Sequence, residues 1–346
     1  MLLDVREPVE WDAGHIEGAI HLPQARVGRE ATAALPDREA PIVVYCHTGV
    51  RSYYASIVLG QLGYANVTNL VGGIEGWQRA GLPVVTPVRL TEAQRQRYSR
   101  HLLIPEVGPA GQARLLESRV LIVGAGGLGS PTALYLAAAG VGTLGVVDFD
   151  DVEVSNLQRQ VAHTTAGVGT PKVESVRAAV GALNPDVRVV ALRERLDAGN
   201  VARLIAGADV IVDGTDTFET RYLLNDAAVR AGIPVVHASV FRFEGQVTTF
   251  IPRVGPCYRC LYPEPPPPEL APACSVVGVL GVVPGIMGLL QANEALKLLL
   301  GIGETLAGRL LVFDALDTTF SEIRLERDPA CPTCSDAALA ATAVAG

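Results

Sequence analysis

Charge and aromatic side chains are both scarce in this 346-residue chain: charged residues make up 18% and Phe, Trp and Tyr together 5%. So little charge leaves less self-repulsion than usual at the surface and favours buried contacts between subunits. With few aromatics, the cores must be filled mainly by Ala, Val and Leu. Lysine is rare, no block of Lys and Arg occurs, and the net charge is -8. Together these exclude a basic nucleic-acid footprint. The start has neither a charged segment followed by a long apolar run nor an acid-poor leader, so no export or import signal is expected. Clean apolar runs of membrane length, about 20 residues, are missing too. The nearest candidate, 276–290, is broken by Gly278, Gly281, Pro284, Gly285 and Gly288. It is expected to be a buried turn leading into a helix. The expectation is a cytoplasmic protein that contacts neither membrane nor nucleic acid directly.

Hydrophobic residues make up 49% of the chain, and its length suffices for two substantial cores. Short apolar strands are expected at 2–5, 40–45 and 66–70 and another short element at 16–22, with helices at 53–62 and along IEGWQRAG from Ile74. Their alternation predicts a small parallel α/β domain over 1–85. VVTPV, from Val84, joins it to the polar helix TEAQRQRYSRHLL. That helix opens a second α/β domain over 86–336. Its strands are expected at 119–123, 143–149, 187–192, 210–213, 235–238 and 309–314, and its helices at 128–139, 172–183, 220–231 and 288–300. Pro265 to Pro268 exclude regular structure. The small apolar tail, 337–346, has nothing to specify packing and is expected to be flexible.

Two stretches carry chemistry. In VVYCHTGVRS, Cys46 follows a strand directly, which puts its sulfur at the carboxyl edge of a parallel sheet. Backbone N–H groups of the following residues and the positive end of the next helix favour thiolate, and then the negative charge of a persulfide. Arg51 adds a fixed positive group. Only His47, Thr48, Gly49 and Val50 separate Cys46 from Arg51, one fewer than in the phosphatase cradle. The ring suits one sulfur atom better than a phosphoryl group. Further on, Gly124, Gly126, Gly127 and Gly129 follow a strand and open a helix, which allows phosphate to approach backbone amides. Asp148 is placed to accept hydrogen bonds from a ribose. These features alone leave NAD, FAD and ATP open. Asn156, Arg159 and Lys172 favour ATP, because attack at the α-phosphorus needs cations to hold the departing pyrophosphate. Asp216, after another apolar strand, is placed to hold Mg²⁺ near the phosphates.

The remaining cysteines are paired by spacing. Cys257 and Cys260 form one CxxC knuckle, Cys331 and Cys334 another, and four thiolates suit tetrahedral Zn²⁺. Cys274 stands outside both pairs and reads most simply as a buried small hydrophobe.

LLDVREPVEW, GHIEGAIHLP, CHTGVRS and the Gly72-Gly73 to Trp77 stretch resemble a rhodanese domain. The resemblance implies that Cys46 carries the persulfide, with Arg51 in its loop. The region is expected to lack the helix and partial strand that usually precede LLDVRE. From about Leu90 to Cys334 the chain resembles the MoeB/ThiF-type adenylating enzymes, the bacterial relatives of ubiquitin-activating proteins. RYSRHLLIPEVG, VLIVGAGGLGS, DFDDVEVSNLQRQ, GTPKVES, DGTDTFETR, FEGQVTTF, CYRCLYPEP and CPTC carry that likeness. It implies a Rossmann-like fold, with Gly126 and Gly127 in the phosphate loop and Asp148 on the ribose. Asn156, Arg159 and Lys172 fall to the ATP phosphates and Asp216 to Mg-ATP. It also implies a homodimer in which Arg100 reaches the other subunit's site. At the Cys274 position some members handle the carrier covalently. The implied substrate is a ubiquitin-like sulfur-carrier protein ending in Gly-Gly, and the implied sulfur donor a cysteine desulfurase persulfide or thiosulfate. The order of the two regions is the reverse of the usual fusion. Molybdopterin, thiamine, thiolated tRNA and cysteine synthesis all remain open as destinations. A rhodanese region that only docks, and an NAD oxidoreductase, are the alternatives.

Overall fold

Four short apolar runs of the amino-terminal region pair side by side, all parallel, in the computed structural model, which describes residues 1–85, 90–265 and 278–344. β1 (Leu2–Asp4) lies between β2 (Ala19–His21) and β3 (Ile42–Tyr45), and β4 (Val67–Asn69) extends the sheet beyond β3. Parallel strands are covered on both faces. On one face α2 (Gln24–Ala34) and α3 (Val50–Gln61) supply Val27, Ala31, Ala55 and Leu59 against Leu3, Ile42 and Val44. On the other, Ile74 of α4 (Gly73–Arg79) packs with Ile16 and Tyr45. The short α1 (Pro8–Asp12) follows β1. Of α2 only Val27 and Ala31 are buried, an apolar stripe too thin to mark it in the sequence. α3 begins three residues before the expected Tyr53, so Arg51 and Ser52 sit in its first turn.

By compactness the chain divides into Met1–Ala113 and Arg114–Gly346. The expected polar helix, realised as α5 (Glu92–Arg97) and α6 (Ser99–Leu102), counts with the first unit. Thr91 caps α5 by accepting the Gln94 N–H. α7 (Gly108–Glu117) precedes the second sheet.

That sheet has eight strands in the order β12-β11-β10-β9-β8-β5-β6-β7. β5 (Arg119–Val123), β6 (Thr143–Val147), β7 (Arg188–Leu192), β8 (Val210–Asp213) and β9 (Val235–Phe241) run parallel. Strand order reverses between β5 and β8. In open α/β sheets this is where ligands bind. β10 (Glu244–Phe250), β11 (Arg309–Asp314) and β12 (Thr319–Arg324) add an antiparallel flank; β11 falls on the expected 309–314, whereas hydrophobic patterning did not announce β10 or β12. In β10 the buried side chains include Thr248 and Thr249, whose hydroxyls donate to the Arg309 carbonyl at 2.7 Å and to Glu294 at 2.9 Å. Polar residues satisfied inside the core hide such a strand.

The helices are α8 (Gly129–Ala139), α9 (Lys172–Leu183), α10 (Val201–Ile205), α11 (Phe218–Ala231), α12 (Tyr258–Leu261), α13 (Val282–Leu300) and α14 (Asp336–Val344). The stretch expected to turn is already helical from Val282. Pro284 lies in the first turn of α13, where its missing N–H costs nothing. Gly288 lets α13 come down onto the Leu128 carbonyl. The tail expected to lack structure forms α14, and its Leu339 packs on the cysteine cluster. Among the described residues no helix is long and apolar enough to cross a membrane.

Gly129 and Gly181 offer opposite tests of this packing. A Cβ on Gly129 runs into the Gly124 carbonyl, whereas one on Gly181 meets nothing within 4 Å. Gly129→Ala should cost about 1–3 kcal/mol in urea unfolding, and Gly181→Ala should gain about 0.5–1 kcal/mol. Equal effects would show that the turn after β5 is looser than described.

Candidate functional site

β3 delivers Cys46 to the carboxyl edge of the first sheet, buried to 1% exposure. Its Sγ accepts hydrogen bonds from the Gly49 N–H at 3.1 Å and the Ser52 hydroxyl at 3.4 Å. Burial pushes the thiol up. The Ser52 hydroxyl and the N–H groups of Ser52, Gly49 and Thr48 outweigh it and hold the thiol below its ordinary pKa. The loop is braced from behind by the start of α4. The N–H groups of Ile74 and Glu75, which have no partner inside their own helix, donate to the carbonyls of Cys46 at 2.9 Å and His47 at 3.1 Å. This approach requires Gly73, where φ is 57° and a Cβ would meet both carbonyls.

The Arg51 charge interacts with the Cys46 sulfur, and it also has a partner that the sequence did not announce. Both of its terminal nitrogens donate to Glu10 of α1, at 2.6 and 2.7 Å. Sulfur charge is therefore met chiefly by amides and a hydroxyl, and Arg51 ties the loop to α1. Glu10 was missed because nothing local in LLDVREPVEW marks its distant partner. Ser52, in the same loop, donates a hydroxyl to the sulfur, a role that nothing in its sequence neighbourhood marks.

At the switch point of the second sheet lies a cavity of about 470 Å³. Gly124, Gly126, Gly127, Asp148, Asn156, Arg159, Lys172 and Asp216 all line it. Gly124 takes φ 95° and lies against the Gly214 carbonyl, so a Cβ there would come within 2.6 Å of that oxygen. Gly127 lies under Pro284 and Arg159. Gly129, grouped with them in the sequence, is not on the wall; it permits the close turn into α8. Asp148 accepts from the N–H groups of Ala125 and Asp150, each at 2.8 Å, and so braces the glycine loop as well as facing the cavity. Lys172 is buried to 6% exposure and donates to Asp150 at 2.8 Å. Asn156 accepts the Glu153 N–H through Oδ1 at 3.0 Å, and Arg159 donates to the Ser155 carbonyl at 3.1 Å. The Asp216 carboxylate is exposed.

The cavity also has walls that motif reading passed over. The Arg195 guanidinium lies 4.0 Å over the Phe149 ring at its edge. Gln160 is buried, with Oε1 lacking a hydrogen-bond partner, a polar atom left for a ligand. Gln160 stands one residue after Arg159, in the same DFDDVEVSNLQRQ stretch.

Cys257, Cys260, Cys331 and Cys334 converge, with all four sulfurs within 4.8 Å of one another. Cys257–Cys331 is 3.6 Å, Cys260–Cys334 3.4 Å and Cys257–Cys260 4.0 Å. Four sulfurs at about 2.3 Å around a tetrahedral ion lie about 3.8 Å apart, a spacing these three separations bracket, so the cluster could hold a metal. Burial, then the neighbouring sulfurs, push the Cys257 thiol far up. Burial and the Cys260 sulfur push Cys334 to about 11. Backbone N–H groups of Thr333 and Cys334 overcome burial at Cys331 and lower it. A bound cation relieves that crowding of thiols. Arg100 is exposed on α6. Cys274 and Pro266 to Pro268 lie outside the described residues.

Residues 98–333 match the ThiF family, and residues 1–80 match the rhodanese-like domain. The chain belongs to the ThiF family. It is a ThiF/MoeB-type adenylyltransferase domain fused to an amino-terminal rhodanese domain. The SAMP-activating enzyme E1 of Haloferax volcanii is 57% identical over 247 residues, covering 71% of this chain and 91% of that protein. The sulfur carrier protein adenylyltransferase of Thermus thermophilus is 50% identical over 254 residues, 72% of this chain and 94% of the relative. The probable adenylyltransferase/sulfurtransferase MoeZ of Mycobacterium tuberculosis is 51% identical over 259 residues, 73% of this chain and 66% of MoeZ. The crystal structure of E. coli MccB with ATP shares the fold, with a TM-score of 0.62 at 22% identity over 73% of this chain and 77% of that one.

The lowered thiol pKa sets a pH window. Thiolate reactivity is present above the folded pKa and lost as pH falls through it, so Cys46 should alkylate below the ordinary range near about 8.5. Rates of iodoacetamide labelling against pH, read at the Cys46 peptide by mass spectrometry, check this. Ser52→Ala removes the hydroxyl donor and should move the profile to higher pH. Superimposable profiles would assign no thiolate stabilisation to Ser52.

Proposed function

We propose that this chain adenylates the carboxyl-terminal Gly-Gly of a ubiquitin-like sulfur-carrier protein and then sulfurates it through a persulfide on Cys46. The observation that carries this reading is the convergence of the glycine loop, Arg159, Lys172 and Asp216 on one cavity at the switch point. The names of the Haloferax and Thermus relatives support the substrate class.

A carboxylate is a poor acceptor of sulfur because oxide does not leave. The carrier's carboxylate oxygen attacks the α-phosphorus of ATP, and pyrophosphate departs. Arg159 and the Lys172 ammonium, held in place by Asp150, meet the charge that develops. Backbone amides after Ala125, whose own N–H is held by Asp148, receive phosphate oxygens. Asp216 and Asp150 offer the hard oxygen donors that Mg²⁺ takes, and the ion when bound offsets phosphate charge. The terminal sulfur of the Cys46 persulfide attacks the acyl carbon, and AMP leaves with the electron pair of the broken C–O bond. The carrier is then joined to Cys46 through a sulfur–sulfur bond. A thiol reductant cleaves that bond and releases the thiocarboxylate.

The four-cysteine cluster holds Zn²⁺ as a closed structural site and ties the chain after β12 to α12. The enzyme works as a homodimer in which Arg100 serves the other subunit's cavity; a monomer with full activity in sedimentation would overturn this. Domain limits at 1–85 and 86–336 remain our functional division.

Asp216→Asn keeps the side chain's shape and removes its charge. Carrier-dependent ATP–pyrophosphate exchange should fall at least about 100-fold; exchange at the wild-type rate would make the aspartate structural. Cys46→Ser should still exchange yet form little thiocarboxylate. Intact-protein mass spectrometry follows the product, since oxygen replaced by sulfur by way of the thiolate nucleophile adds about 16 Da. Normal sulfuration by that variant would reduce the rhodanese region to a docking appendage.

Protein purified without chelator should carry one zinc per chain by elemental analysis. Removing the zinc should lower the melting temperature, because binding at such a site is folding free energy. A zinc-free protein containing two disulfides would sink the assignment.

A further inference from the structure

A buried carboxylate–imidazole pair lies directly behind the nucleotide cavity. Asp213 ends β8 and His237 lies beside it in register on β9; each is 3% exposed. His237 Nδ1 is 2.7 Å from Asp213 Oδ2. The other oxygen, Oδ1, accepts from the Thr215 N–H at 3.0 Å and the Thr215 hydroxyl at 2.7 Å. One carboxylate thus holds an imidazole with one oxygen and the turn Gly214-Thr215-Asp216 with the other. The turn is clamped further. The Gly214 N–H donates to the Val123 carbonyl at 2.8 Å, the Thr215 carbonyl accepts from Arg221 at 2.9 Å, and Gln291 donates to the Asp213 carbonyl at 2.7 Å.

We infer that His237 is a positioning residue for the nucleotide site, acting through Asp213 to fix the turn that presents Asp216. The inference rests on the reading of Asp216 as the acid beside Mg-ATP. His237 reaches no part of the cavity wall itself. Its ring is packed 5.1 Å from Tyr258 and 6.0 Å from Phe250, so it has one orientation in which to serve Asp213. Burial holds the imidazole below its ordinary pKa; at Asp213 burial acts upward, and the hydrogen bond from His237, the Arg221 charge and the Thr215 hydroxyl together overcome it and hold the carboxyl below its ordinary value. The pair is therefore carboxylate with neutral imidazole, and Nδ1–H donates. If that donor is lost, Oδ2 is left buried and unmatched. The carboxylate must then rotate or take a proton, and either change disturbs the two bonds that shape Thr215 and set Asp216.

Two polar replacements separate positioning from mere packing. Asn places an amide N–H close to where Nδ1–H stands; Gln places it out where Nε2 stands. The measurement is ATP affinity of the full-length protein by calorimetry, with and without added Mg²⁺. For His237→Gln the Mg²⁺-dependent part of the affinity should fall about tenfold or more, the scale of one hydrogen bond to a charged group. Affinity without added Mg²⁺ should change less than about twofold, and His237→Asn should keep the wild-type Mg²⁺ dependence. Equal losses with and without Mg²⁺ in His237→Gln would overturn the inference and make the histidine a packing residue. Wild-type Mg²⁺ dependence in His237→Gln would overturn it as well. A wild-type protein that gains nothing from Mg²⁺ would instead bring down the reading of Asp216, and this inference with it.

Discussion

Two backbones cannot share the space between β5 and β8 unless neither carries a side chain, and the nucleotide cavity depends on that closeness. Gly124 rests against the Gly214 carbonyl, and Gly214 in turn hydrogen-bonds to Val123. The glycine loop and the turn bearing Asp216 are thus a single packed unit. Asp148 holds this unit from the β6 side through the Ala125 N–H, and Asp213 holds it from the β9 side through Thr215. A ligand bound there meets groups already placed, with little left to order on binding.

The same economy governs the thiol loop. The chain is poor in charge, and at both sites the backbone does work that charged side chains do elsewhere. Amides around Cys46 stabilise sulfur, while Arg51 is committed to Glu10. The α4 amides hold the loop's carbonyls turned away, which leaves its N–H groups pointing toward the sulfur. In the second unit, α8 starts at the glycine loop in the same relation to β5 that α3 has to β3.

Where an apolar run was short and bounded by turn residues, its element could be read to the residue: β5, β8, β11 and α9 all begin and end as expected. The residues that line the cavity could be picked out for a different reason, since they stand in short stretches of chain. Reading failed where the deciding partner is remote. Nothing around Glu10 points to Arg51, forty-one positions away. A histidine amid the apolar residues of β9 says nothing until β8 brings Asp213 beside it. β10 was hidden by its threonines, and the start of α13, before the expected Gly288, by a proline and glycines that cost little at the positions they occupy.

The scarcity of lysine bears on the lifetime of the proposed intermediate. An acyl adenylate is attacked by free amines as well as by sulfur. Lys172 and Lys297 supply the side-chain amines of the whole chain. The first is buried and bound to Asp150. The second is bound to Glu294 and to the Glu304 carbonyl. The proposed acyl adenylate would therefore meet no unpaired lysine amine on this chain, and self-acylation at lysine has few places to occur.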